Sequence, residues 1–200
     1  MINLINIKSI LIISICTAGT LFLMSSCSEN DSTDSREAAE KKNIEKQRSD
    51  GSSVHVKNDS DVKFLMDAAE MQLEEISLGK LARKKGNSPR VKELGKKMEE
   101  THSNAFAELR TLAQSKSVSI PMRMTNDSKK VYDKLDKKSG SDFDQAYCEM
   151  MVENHEDAVE LFEIASTESE NSEIRNWASR KIPALRAHLG QAEACKSMVK

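Results

Sequence analysis

Three histidines and two glutamates stand where helical spacing would gather them. His102 lies four residues after Met98 and three before Ala105, and His155 stands in the same relation to Met151 and Ala158. Positions three and four apart share one face of a helix, so each histidine falls on an apolar stripe. His188 lies at the edge of a third stripe, and Glu75 sits in the middle of a fourth. Imidazole and carboxylate ligands together suit iron, zinc or copper. Glu99, three before His102, makes one Glu-x-x-His pair on one face. A bundle-type di-iron site uses two such pairs. Here the matching positions hold Val152 and Leu185, so a di-iron oxidase is disfavoured. A mononuclear, histidine-rich site remains, as does the alternative of a polar core that holds no metal. Met98, Met122, Met124, Met150 and Met151 read as core and loop residues rather than copper ligands.

These side chains can meet only if four helices hold them at one level. Apolar residues recur at three- and four-residue steps in four long stretches, about Asp61 to Lys85, Pro89 to Ser115, Asp142 to Ser166 and Ser172 to Met198. Gly86-Asn87-Ser88-Pro89 stops the first and starts the second, with Pro89 at a first-turn position. Residues 116–140 form the longest connection and contain a short predicted helix, about Asp127 to Lys137. Pro183 removes one backbone donor from the last helix and predicts a kink.

In an antiparallel helix pair, residues at one level have position numbers with a constant sum. A turn near residue 87 sets His102 level with about residue 72, within one helical turn of Glu75. A turn near residue 171 sets His155 level with His188, and Cys148 level with Cys195. Both His102 and His155 then lie roughly 22–25 Å from their turns, near mid-bundle. Glu75, His102, His155 and His188 are thus expected in one layer. A Cys148–Cys195 disulfide is expected where the helices approach closely, since the bridge needs Cα atoms within about 7 Å. Two separate thiols are the alternative.

The N-terminus points to a compartment. Lys8 is followed by an apolar run from Ile10 to Met24, and then by Ser25-Ser26-Cys27. The run is shorter than the roughly 20 residues a spanning helix needs, and its small-residue end fits a secretory signal. Met24-Ser25-Ser26-Cys27 resembles the bacterial lipobox, which implies cleavage before Cys27 and acylation of its thiol and new amino group. Residues 1–26 are then a signal peptide, and 27–58 a lipidated cysteine with a disordered tether. Residues 28–58 are rich in Ser, Asp, Glu, Lys and Asn, with too little apolar surface to offset ordering entropy. Residues 59–200 remain for one domain. The partner this predicts is a membrane, through the lipid anchor in the cell envelope, on the periplasmic or surface face of the outer membrane.

Composition fits the helical reading. Three prolines, seven glycines, 4% aromatics and 31% charged residues describe a helical bundle rather than a sheet protein. A formal net charge of −2 gives no nucleic-acid footprint. No phosphate-binding glycine loop and no nucleophile–base arrangement is visible in the sequence.

Several phrases in order carry a family resemblance. They include Glu75-Ile76-Ser77-Leu78-Gly79-Lys80-Leu81-Ala82, the two Met-x-x-x-His-x-x-Ala segments, Phe143-Asp144-Gln145-Ala146-Tyr147, Trp177-Ala178 and Pro183 through Leu189. Over about residues 60–195 the chain resembles the ferritin-like domain of unknown function 4142, whose members are often called predicted outer-membrane proteins. The resemblance implies an all-α, ferritin-like four-helix bundle made of two helical hairpins with a long connection between them. It implies no activity. The family's segments usually read Asp-His, whereas Thr101 and Asn154 stand before the histidines here. Two functions are compatible with these residues. One is an envelope lipoprotein binding one iron, zinc or copper ion in metal handling or stress protection. The other is a non-catalytic envelope module that binds a protein partner and has a purely structural polar core.

Overall fold

The computed structural model describes residues 34–49 and 59–199. Residues 1–26, expected to be a signal peptide, and Cys27 lie outside the described residues. Six helices are present among those described: α1 (Ser35–Ser49), α2 (Asp59–Lys85), α3 (Pro89–Ser115), α4 (Asn126–Asp136), α5 (Gly140–Glu168) and α6 (Ser172–Met198). None of them is long and apolar enough to cross a membrane.

The helix ends are set by their sequence. Ser88 caps α3 by accepting from the Val91 N–H at 3.2 Å, and Pro89 needs no donor partner at the first position. Thr125 caps α4 and Asn171 caps α6 in the same way. Asp144 of α5 accepts from the Asn87 and Ser88 N–H groups at 2.7 Å each, which ties the first hairpin turn to the second hairpin. The last helix continues through Pro183 from Ser172 to Met198 without a break.

The α2–α3 and α5–α6 hairpins pack side by side, with α2 against α5 and α3 against α6. Both cross-hairpin pairs are antiparallel. Phe64 meets Phe162 near one end of α2 and α5, and Glu75 meets Asn154 at mid-length. His102 meets His188 at mid-length of α3 and α6, and Lys116 meets Glu173 at the end. The connection from α3 to α5 must therefore cross the length of the bundle. It does so over α2 and α5, where α4 buries Leu135 and Lys85 reaches Asp136 at 2.9 Å.

The apolar core comes in two halves. One centres on Phe64, Leu65, Leu109, Phe162, Ile174 and Trp177, and the other on Leu78, Val91, Met98, Phe143, Tyr147 and Met151. Between them run the buried polar residues Gln72, Glu75, His102, His155 and His188.

One expectation needs correction. Residues 28–58 were expected to form a tether without structure, yet Ser35–Ser49 is helix α1 and is docked on the bundle. Arg36 pairs with Asp67 at 2.7 Å and with Glu70 at 2.9 Å. Asn43 and Ser119 exchange two hydrogen bonds, from Ser119 N–H to Asn43 Oδ1 and from Asn43 Nδ2 to the Ser119 carbonyl. Asp34 accepts from the N–H groups of Arg36 and Asn126, at the starts of α1 and α4. Of the core side chains, α1 supplies only Ala39. A helix held by polar contacts has no apolar stripe to reveal it.

Candidate metal centre

Three helices each bring one imidazole to the centre of the bundle: His102 from α3, His155 from α5 and His188 from α6. Each pair of ring centroids is 5.4 Å apart, so the rings form an equilateral triangle. One nitrogen from each ring faces the others, and these atoms all lie within 4.8 Å of one another. Three ligands about 2.1 Å from a tetrahedral metal are about 3.4 Å apart.

The hydrogen bonds fix which nitrogen is offered. His102 Nδ1–H donates to Gln72 Oε1 at 2.8 Å, and His155 Nδ1–H donates to the Met151 carbonyl at 2.8 Å. In both rings Nε2 then carries the lone pair, and neither Nε2 has a partner. His188 Nδ1 is likewise buried and unpartnered. Metal-binding histidines characteristically donate their second N–H to an oxygen in this manner, which fixes tautomer and orientation.

Burial favours the neutral form of all three rings. Burial holds His102 well below the usual imidazole range, and the neighbouring His155 and His188 push it further. Burial lowers His155, against the opposing hydrogen bond to Met151. Burial, then His155 and Lys97, push His188 down to about 4. A neutral imidazole is the form that binds metal.

The backbone around this layer is fastened in both hairpins at one level. Gly79 and Gly95 lie seven residues beyond Gln72 and before His102. A Cβ on Gly79 would stand 2.7 Å from the Gly95 carbonyl oxygen, and one on Gly95 2.7 Å from that of Gly79. Only glycine allows α2 and α3 to cross so closely. In the other hairpin, Cys148 and Cys195 lie seven residues before His155 and after His188, and a disulfide joins them with Cα atoms 5.7 Å apart. Both fastenings sit about 10.5 Å along the helices from the histidines. By loop closure the bridge, spanning 47 residues, contributes about 4 kcal/mol.

The two glutamates expected in the site stand apart from this triad. Glu99 makes an ion pair with Arg83 at 3.3 Å, although the same Oε2 is buried and forms no hydrogen bond. Sharing a face with His102 did not settle its direction, because a long side chain follows the nearest cation. Glu75 is buried near the layer but is not one of the three converging groups. Its Oε1 accepts from Asn154 Nδ2 at 2.9 Å, and its Oε2 has no partner. Burial, reinforced by Glu74 and opposed by Asn154, pushes its carboxyl up to about 8. Burial and Glu75 also push the unpartnered Tyr147 hydroxyl well above its ordinary value.

Gln72 and Asn154 are the site-building residues the sequence reading missed. Gln72 could have been found, since it is four after Ala68, three before Glu75 and level with His102. Asn154 spans α5 to α2 by donating to both Glu74 and Glu75.

No curated protein matches this chain in sequence. Among solved structures, the chain resembles a crystal structure of a DUF305 fragment from Deinococcus radiodurans, with a TM-score of 0.60 and 9% identity. The match covers 70% of this chain and 97% of that one, a likeness of fold alone. The family model described as a domain of unknown function, DUF4142, matches residues 46–195. With that span covered from α1 to Cys195, the chain belongs to the DUF4142 family.

Proposed function

We propose that this protein binds one transition-metal ion through His102, His155 and His188, and that it serves metal handling in the cell envelope, anchored to a membrane through Cys27. The observation that carries the reading is that three buried histidines, one from each of three helices, each keep a buried nitrogen without a partner and bring ring nitrogens within 4.8 Å of one another. A buried polar atom without a hydrogen bond costs about 1–3 kcal/mol. A bound cation would satisfy all three at once. Three neutral imidazoles with no thiolate suit zinc, copper or iron rather than calcium or magnesium. The envelope location rests on the Lys8-to-Cys27 pattern.

The test is metal content and melting temperature of the purified full chain with zinc, copper(II) or iron(II), beside a His102→Ala/His155→Ala variant. Free metal at a thousandfold excess over Kd raises stability by about 4.1 kcal/mol. The reading expects one ion per chain and a rise in melting temperature for at least one metal, both absent in the variant. No stoichiometric metal and no thermal shift with any of the three would leave the layer as a structural polar core.

A further inference from the structure

Charge is sorted along the length of the bundle. Residues 80–97, which end α2, form the first hairpin turn and start α3, hold eight lysines and arginines against one acid, Glu93. Residues 153–173, on the second half of α5 and into α6, hold eight acids and no lysine or arginine. The first group surrounds one end of the bundle, and the second runs from its middle to the other end. Asp144, near the start of α5, holds the first turn, and Glu168 closes the same helix about 36 Å further along.

The basic side chains face outward. Val91, Leu94 and Met98 take the core side of α3 and leave Arg90, Lys92, Lys96 and Lys97 exposed, while Lys80 and Lys84 are exposed on α2. Of the eight, only Arg83 and Lys85 form ion pairs among the described residues, with Glu99 and Asp136. The Lys85–Asp136 pair brings exposed Lys137 and Lys138 to the same end. Asp136, Asp142 and Glu193 share this end and leave the basic residues in excess. The α6 terminus arrives there too, through Cys195 beside Cys148, and carries Met198 with 60% of its surface exposed.

We infer that this end of the bundle docks on the anionic phospholipid surface of a membrane, with its lysines and arginines against the lipid phosphates and the acidic half of α5 turned away. The choice of a membrane rests on the Cys27 anchor reading and is independent of the histidine triad. The net charge of −2 does not oppose the docking. Exposed charges more than a Debye length from the surface, about 8 Å at physiological salt, are screened from it, and the far acids lie well beyond that. Each lysine or arginine near anionic lipid contributes about 1 kcal/mol, which is about fivefold in affinity. The competing occupant is the acidic end of a second copy. Two features favour lipid. An exposed methionine beside basic residues suits the headgroup boundary, where an apolar side chain is buried next to positive charge. A chain held at a bilayer also meets that surface at high effective concentration.

The experiment is cosedimentation of the full chain carrying Cys27→Ser with vesicles of phosphatidylcholine, alone or with about three-tenths phosphatidylglycerol. Without an acyl chain the binding reads the patch, and residues 1–26 are common to every form and cancel in the ratios. Acylation is read separately, by the mass of the unaltered chain, so a failed anchor reading is not confused with a failed patch. Tighter binding to the anionic vesicles by at least about tenfold is expected at ~0.1 M NaCl, with the difference lost at ~1 M. Lys84→Gln/Arg90→Gln/Lys92→Gln is expected to lose at least about tenfold on anionic vesicles. Lys63→Gln/Arg110→Gln/Arg180→Gln removes the same charge from the other half of the bundle and is expected to change binding less than about threefold. All six side chains are exposed, so both variants keep the fold. Equal binding to neutral and anionic vesicles, or equal losses in the two variants, overturns the inference. Equal vesicle binding together with salt-sensitive dimers, lost in the first variant, overturns it in favour of a second copy.

Discussion

The bundle contains two triangles of rings, and they differ in what their edges meet. Phe64, Phe162 and Trp177 pack with centroids 5.3, 6.1 and 5.3 Å apart in one apolar half. His102, His155 and His188 pack at 5.4 Å on each side of their triangle, seven residues away along α5. The first triangle leaves no polar atom bare, because Trp177 Nε1–H donates to Glu108 Oε2 at 3.3 Å. The second leaves three nitrogens bare. Ring packing of the same size thus stabilises the fold in one place and leaves it unsatisfied in the other. That contrast is what the proposed metal site rests on.

Substitution breaks the comparison most sharply. Phe162→Ala is expected to cost about 3–5 kcal/mol in urea unfolding, through lost burial and the cavity left behind. In metal-free protein, His155→Leu is expected to lie within about 1 kcal/mol of wild type, because a buried group with an unmet nitrogen gives way to an apolar one. A loss in His155→Leu as large as that in Phe162→Ala would make the histidine layer ordinary core.

Acid and base should sharpen it further, with smaller effects. A histidine held below its ordinary 6.5 costs nothing while neutral in both states, and destabilises the fold once the unfolded chain protonates. Metal-free protein is therefore expected to lose stability as pH falls from about 6.5 toward the His188 value of about 4. Glu75 acts in the opposite sense. Its carboxyl is raised from 4.5 to about 8, so its contribution is full below 4.5 and is lost as pH rises between those values. Melting temperature against pH should then fall on both sides of a maximum, and Glu75→Gln should flatten the alkaline side and steepen the acid side between about 4.5 and 6.5. A profile unchanged by Glu75→Gln would show that the carboxyl ionises with no penalty.

Much of this was legible in the sequence because antiparallel helices obey simple arithmetic. The pairing sum placed His102 beside residue 72 and His155 beside His188, and the structure brings together those same partners. Helices α3 and α6 have the expected ends, since Ser88-Pro89 and Asn171 are local signals. Three things were not legible. Periodicity finds apolar faces, so α1, docked by Arg36 and Asn43, left no trace. Spacing gives the face of a residue but not the end point of its side chain, so Glu99 could not be assigned to Arg83. The Gly79–Gly95 crossing needed the neighbouring backbone to be seen, although both glycines lie in plain view in their helices.

The central claim is that three imidazoles share one ion. X-ray absorption at the edge of the bound metal, on the purified full chain, tests it most directly. The account predicts a first shell with three imidazole nitrogens at about 2.0–2.1 Å if the metal is zinc, and loss of that imidazole scattering in His102→Ala/His155→Ala. A first shell of oxygen atoms alone, or one unchanged in the double variant, would contradict it.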